Sequence, residues 1–232
     1  MFDGCSEDAV HVEAVSGALS FAGDAWGSCP HPPFDDGTAG VVGTPFRDDA
    51  GLIVVEAESA HERVARHGQA WIVESGLAGF VGTGYAKTEW DRGQRYATDY
   101  ARRSPQLTFT VSFTAAGTYY VWVRMAADSG ASDSIHLGLD GQEEAGADNV
   151  AAVAADGSWR WASATGDGLP AALVVAAAGT HAVDVWARED GVAIDRLILT
   201  TDAAYVPSGA GPEAGPRLGA AEPGASGGVG RD

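Results

Sequence analysis

Between Leu52 and Tyr205, apolar and polar positions alternate in short runs broken by turn residues. Leu107, Phe109, Val111 and Phe113 fall on one face of an extended segment. Thr108, Thr110 and Ser112 fall on the other, the period of two expected of a half-buried strand. The segments Leu52–Glu58, Trp71–Glu74, Phe80–Tyr85, Tyr119–Met125, Ser134–Asp140, Trp159–Ser163, Ala172–Val175, His181–Arg188 and Val192–Thr200 are further strands, with a strong turn at Asp140-Gly141. Only the windows 61–68 and 149–155 have a helical look, and both are short. The pattern predicts an all-β fold, a β-jelly-roll sandwich.

The flanks lack this periodicity. Residues 1–50, rich in Gly, Asp and Pro, are expected to be an irregular leader, 51–205 the β-sandwich, and 206–232 a Gly/Pro/Ala-rich linker or disordered tail. Cys5 and Cys29 lie outside any metal or redox spacing. They either form a disulfide, worth roughly 3 kcal/mol in the chain-entropy picture, or remain two thiols. The first residues have neither a basic region nor an apolar one, so they do not form a secretion signal. The sequence is read as a trimmed or excised piece of a longer secreted or cell-surface protein, tethered to other domains.

Charge narrows the partners. With 14 Lys+Arg against 32 Asp+Glu the formal charge is −18. That charge disfavours nucleic-acid backbones and anionic membrane surfaces as partners. No apolar run reaches the roughly 20 residues of a membrane span.

Three segments in order carry a resemblance: Val55-Glu-Ala-Glu58, Gly117-Thr-Tyr-Tyr-Val-Trp-Val-Arg124, and Gly179-Thr-His-Ala-Val-Asp-Val-Trp186 followed by Gly191-Val-Ala-Ile-Asp195. With Asp156-Gly-Ser-Trp159 between them, the chain resembles the family 6 and family 35 carbohydrate-binding modules over Leu52 to about Thr200. That resemblance implies a jelly roll with a structural calcium and sugar sites on its loops or concave face. It puts Glu56, Glu58 and Asp195 around the ion, with carbonyls from the loop near Leu77 to Thr83. Oxygen-rich ligand sets suit a hard cation, and Glu56 and Glu58, two apart, would share one strand face. The competing reading has solvent-facing glutamates and Asp195 paired with Arg196 or Arg124.

A sugar needs a flat apolar ring face and directional polar groups, and the chain has seven tryptophans and six tyrosines. Trp159 matches the stacking tryptophan of the resembled modules, and Trp161 lies on the same strand face. Trp90, Tyr96 and Tyr100 stand in a polar stretch that does not look like core, whereas Trp71, Trp122 and Trp186 read as core or edge packing. The chain departs from the family pattern at Ala193, where an Asn is common, and at Ser104-Pro-Gln-Leu107, which replaces a Gly-Asp-Trp signature. Both departures bear on the usual loop-end cleft. No Gly-x-Ser-x-Gly elbow, His-Glu-x-x-His or phosphate loop is present. The expectation is a non-catalytic module binding a polysaccharide or oligosaccharide. The alternatives are an adhesion domain and, further off, a glycan-active enzyme using a carboxylate pair.

Overall fold

The computed structural model describes residues 14–15, 18–19, 43–89 and 91–219, and the chain divides into two compact units, 1–39 and 40–232. In the first, β1 (Ala14–Val15) and β2 (Ala18–Leu19) pair antiparallel. Cys5, Cys29 and Trp90 lie outside the described residues, so the disulfide and the role of Trp90 stay expectations.

The second unit is a β-sandwich. One sheet runs β11 (Gln142–Glu143), β10 (Ser134–Leu139), β15 (Gly179–Ala187), β8 (Gln106–Phe113), β3 (Phe46–Arg47); β12 (Val150–Ala151) also pairs with β10, and β5 (Glu62–Val64) with β8. The second sheet runs β13 (Arg160–Ala162), β9 (Gly117–Ala126), β16 (Ala193–Thr200), β7 (Tyr85–Thr88), β6 (Trp71–Glu74); β14 (Ala172–Val175) also pairs with β9, and β4 (Leu52–Glu56) with β16. Alternation decides what lies between the sheets. Leu107, Phe109, Val111 and Phe113 of β8 cluster with Ile53 and Val55 of β4, Val121 and Val123 of β9, and Leu197 and Leu199 of β16. Burial of that apolar area is the main favourable term in folding. The polar side of β8 is covered as well. Thr108 is buried and donates to Asp184 at 2.7 Å, where Gln106 and the Gly141 N–H also donate.

The helix-like window 61–68 is not a helix. Glu62 to Val64 pair with β8, and His67 and Gly68 take φ of 50° and 72°, which breaks helical continuity. Around 149–155 the same happens: Asn149 has φ 51° and Val150–Ala151 join the sheet. The only α-helix among the described residues is α1 (Tyr100–Arg103), and no helix there is long and apolar enough to cross a membrane.

The expected boundaries at 51 and 205 fall inside the packed chain. At the N-terminal side, Phe46–Arg47 form β3 in the sheet. At the C-terminal side, residues 206–218 form a strap over the outer face of the second sheet. Gly215 N–H donates to the Val54 carbonyl at 2.8 Å, Arg47 N–H to Pro216 at 2.8 Å, and Leu218 N–H to Pro45 at 2.8 Å. Trp161 Nε1 donates to the Gly209 carbonyl at 3.1 Å, and Arg196 Nη1 to those of Ala210 and Pro212. Gly211 sits at φ +83° where a Cβ would stand 2.7 Å from the Trp161 ring, so the close approach requires glycine. Composition alone pointed to a linker because the strap has few apolar side chains; backbone groups, not burial of its own side chains, fasten it.

Candidate functional site

One face of the second sheet carries the sites. Register aligns Ala126 of β9, Ala193 of β16, Lys87 of β7 and Ile72 of β6 in a single outward row. The small side chains at Ala126 and Ala193 leave a hollow lined also by Leu77, Tyr85, Asp128 and Gly191. A second hollow, formed by Ile72, Glu74, Thr88, Glu89 and Asp91, shares Lys87 with the first. Together they make a groove with one ammonium and the carboxylates of Glu74, Glu89, Asp91 and Asp128. Asp190, almost fully buried, holds the rim: it accepts from Arg92 N–H at 2.7 Å, Gln94 N–H at 3.0 Å and Gln69 Nε2 at 3.2 Å.

The aromatic side of the groove is built on Tyr85. Its ring meets Phe80 at 5.8 Å and Trp159 edge-on at 5.2 Å. Its hydroxyl donates to Glu74 at 3.0 Å and accepts from Leu77 N–H at 3.2 Å. Burial and the Glu74 carboxylate push its pKa up, so it stays a neutral donor. Trp159 is half-buried: Arg124 lies 5.7 Å from its ring centroid, and its indole N–H is buried without a hydrogen-bond partner. It is a wall behind Tyr85 rather than a ring standing in solvent.

Lower on the same face lie the three carboxylates expected around a metal. β4 ends at Glu56, and Ala57–Ser59 form a 3-10 turn, so the turn and not a shared strand face presents Glu58. A bulge between Ile194 and Arg196 breaks the β16–β9 register and leaves Asp195 fully buried. Asp195 accepts from Val81 N–H at 2.9 Å and from Arg124 Nη1, whose Nη2 donates to the Gly79 carbonyl at 3.0 Å. Glu56 is paired by Arg196 through Nε at 2.8 Å and through Nη2. Burial raises the Glu56 pKa; Arg196 opposes this, and Glu58 and Asp195 add to it. Glu58 Oε1 accepts from Thr83 N–H at 2.9 Å and Oγ1 at 3.2 Å, whereas its Oε2 is buried without a partner. Gly82, at φ +76°, passes so close that a Cβ would lie 2.4 Å from Oε1. Among the described residues, no group of three or more His, Cys, Asp and Glu side chains has a metal-holding arrangement.

The other expected sugar contacts are dispersed. Trp161 lies under the strap. Tyr96 and Tyr100, expected in the polar stretch to face a ligand, are buried with Trp186 on the opposite sheet. Tyr100 stacks on His136 at 3.7 Å and 2°, and the Tyr96 backbone carbonyl accepts from His136 Nε2 at 2.7 Å. Charged neighbours in sequence misled here: α1 turns Tyr100 inward and Arg102 and Arg103 outward, and Tyr96, ahead of the helix, is tied to the sheet by its N–H on the Arg188 carbonyl at 2.8 Å. Lys87, Tyr85 and Ala126 were missed. The signal for Lys87 was in plain view: it is the only lysine in the chain.

The motif order pointed to families 6 and 35, and the solved structures similar to this one include modules of both. They are the GH26-CBM35 β-(1,4)-mannanase of Podospora anserina (24% identity, 68% of this chain and 29% of that one, TM-score 0.47), a family 35 module from Clostridium thermocellum (18%, 65% and 98%, 0.46), and the C-terminal family 6 module of LamC from Zobellia galactanivorans (14%, 65% and 99%, 0.42). An uncharacterized protein, P23, of Formosa agariphila is 34% identical over 113 residues, 46% of this chain. The matched part is 27% of that protein's length. The family model for the glycosyl hydrolase family 115 C-terminal domain matches residues 45–214, the sandwich together with most of its strap. The chain therefore belongs to the glycosyl hydrolase family 115 C-terminal domain family.

Proposed function

We propose that the domain is a non-catalytic carbohydrate-binding module and that its glycan lies in the groove across β9, β16, β7 and β6. The observation that carries this reading is the aligned row Ala126–Ala193–Lys87–Ile72, in which the two alanines leave a floor of small side chains beside the Tyr85 wall, next to an ammonium and carboxylates. Ala193 lacks the amide expected from the resembled modules, and Lys87 next to it in register supplies donors there. Membership of a family named for a domain of glycosyl hydrolases supports a glycan setting, with the domain tethered to a longer secreted or surface protein. Calorimetric titration with neutral oligosaccharides should give saturable heat and no new reducing ends. Heat without saturation, or release of reducing ends, would overturn the module reading.

The same reading assigns a structural calcium to Glu56, Glu58 and Asp195. Arg124 and Arg196 pair with the Asp195 and Glu56 carboxylates, Arg63 donates to the Glu58 backbone carbonyl rather than its carboxylate, and Glu58 Oε2 is a buried oxygen without a donor. A buried unpartnered carboxylate oxygen is costly, and a hard cation would answer it. Calcium would supply charge compensation between the turn at 57–59 and the loop at 79–83. Arg124 and Arg196 already hold Asp195 and Glu56, so Glu58 is the ligand on which this assignment depends.

A further inference from the structure

We infer that Lys87 is the specificity-determining residue of the groove and that it selects neutral, hydroxyl-bearing sugars over uronates; the inference rests on the groove being the glycan site. Lys87 is the only side-chain amine in a chain with 32 acidic residues. It is half-buried and lines both hollows. Its backbone is paired in the sheet, yet among the described residues its ammonium has no hydrogen bond and no carboxylate oxygen within 4.0 Å. An ammonium left unpaired amid Glu74, Glu89, Asp91 and Asp128 has its donors available to an incoming oxygen. The surrounding charge decides which oxygen. A uronate carboxylate would gain one attraction and be repelled by the four carboxylates that line the hollows, interactions that grow in a partly desolvated groove. A neutral sugar meets no such penalty. Its hydroxyls accept from Lys87 and donate to the carboxylates, so both signs of groove charge are used. Ala193, opposite Lys87 in register, lines the first hollow beside it.

The uniqueness of the amine gives a direct test. Sulfo-N-hydroxysuccinimide acetate modifies Lys87 and the α-amino group, and peptide mass spectrometry reads each separately. A panel of neutral methyl glycosides and oligosaccharides, with glucuronate and galacturonate counterparts, is run by calorimetry and as protectants. Expected are binding of a neutral member, severalfold slower acetylation of Lys87 with the α-amino group unaffected, and no heat from the uronates. Lys87→Met, which keeps the stem, should weaken that binding about tenfold or more, the loss usual for a hydrogen bond from a charged donor. An unchanged melting temperature would show that the variant is folded. If no sugar binds, the groove reading itself fails and this inference with it. If a neutral sugar binds without protecting Lys87, or a uronate binds as well with or without calcium, the groove reading stands and the role given to Lys87 is wrong.

Discussion

Single side chains separate groove from core. Trp186 has no exposed surface and packs against Tyr100 at 5.5 Å, so Trp186→Ala should cost about 3–5 kcal/mol of unfolding free energy. Trp159 is half-buried, held by Tyr85 and Arg124, and Trp159→Ala should cost about 1–2 kcal/mol, in proportion to the area it covers. It should also weaken glycan binding by loosening the Tyr85 wall. Urea denaturation of both variants checks this; equal losses would make Trp159 a core residue. Sequence located Trp159 because a turn with Gly precedes it, but not its partners, since Tyr85 and Arg124 are 74 and 35 positions away. It failed for Tyr96 and Tyr100 for a related reason. Polar neighbours in the chain do not report which side of a short loop or of a four-residue helix meets the sheet. Glu56, Glu58 and Asp195 were legible as a set, but the arginines that answer two of them were visible only as alternatives.

At the scale of elements, the strap and β3 make one corner. His61 Nδ1 accepts from Thr110 N–H at 2.9 Å, and its Nε2 lies 3.1 Å from the Thr44 carbonyl and 2.8 Å from Arg217. Arg217 also caps the Phe46 ring at 3.5 Å. Burial lowers the His61 pKa; the Thr44 carbonyl opposes this, and Arg217 reinforces it. A histidine whose folded pKa is depressed contributes stability that is present above its unfolded pKa, about 6.5, and is lost as pH falls toward the folded value. Melting temperature should therefore fall between pH 7 and 5, and His61→Gln should flatten part of that slope. His136, buried and shifted the same way, would keep the remainder. A slope unaltered in His61→Gln would remove the corner from the explanation. The strap has its own test. Truncation after Tyr205 exposes Trp161, Ile198 and Val54 and unpairs Arg196 from two carbonyls, so it should lower the melting temperature by several degrees. Truncation after Gly219 should not. Strand existence and the core face of β8 could be read from alternation. The strap could not, because a segment fastened by its backbone leaves no periodic trace.

The molecule as a whole carries −18, and among the described residues most carboxylates are at least partly exposed, where they repel one another. Screening shortens that repulsion to about 10 Å at 0.1 M salt, so sodium chloride should raise the melting temperature gradually and without saturation. A site-bound calcium behaves differently. Binding the folded state alone adds RT ln(1 + [L]/Kd), about 2.7 kcal/mol at a hundredfold excess, or about 5–10 °C for a domain of this size. The two effects separate at fixed ionic strength. Calcium chloride replacing sodium chloride should add a saturable increment that chelator removes, leaving the salt-dependent part intact. Glu58→Gln should abolish the increment, because it takes the charge from the one buried carboxylate oxygen without a donor while keeping the acceptor for Thr83. If calcium adds nothing beyond matched sodium chloride, the unpartnered Glu58 oxygen between the turn and the 79–83 loop is borne without a metal. Arg124 on Asp195, Arg196 on Glu56 and Arg63 on the Glu58 carbonyl would then hold these groups without one.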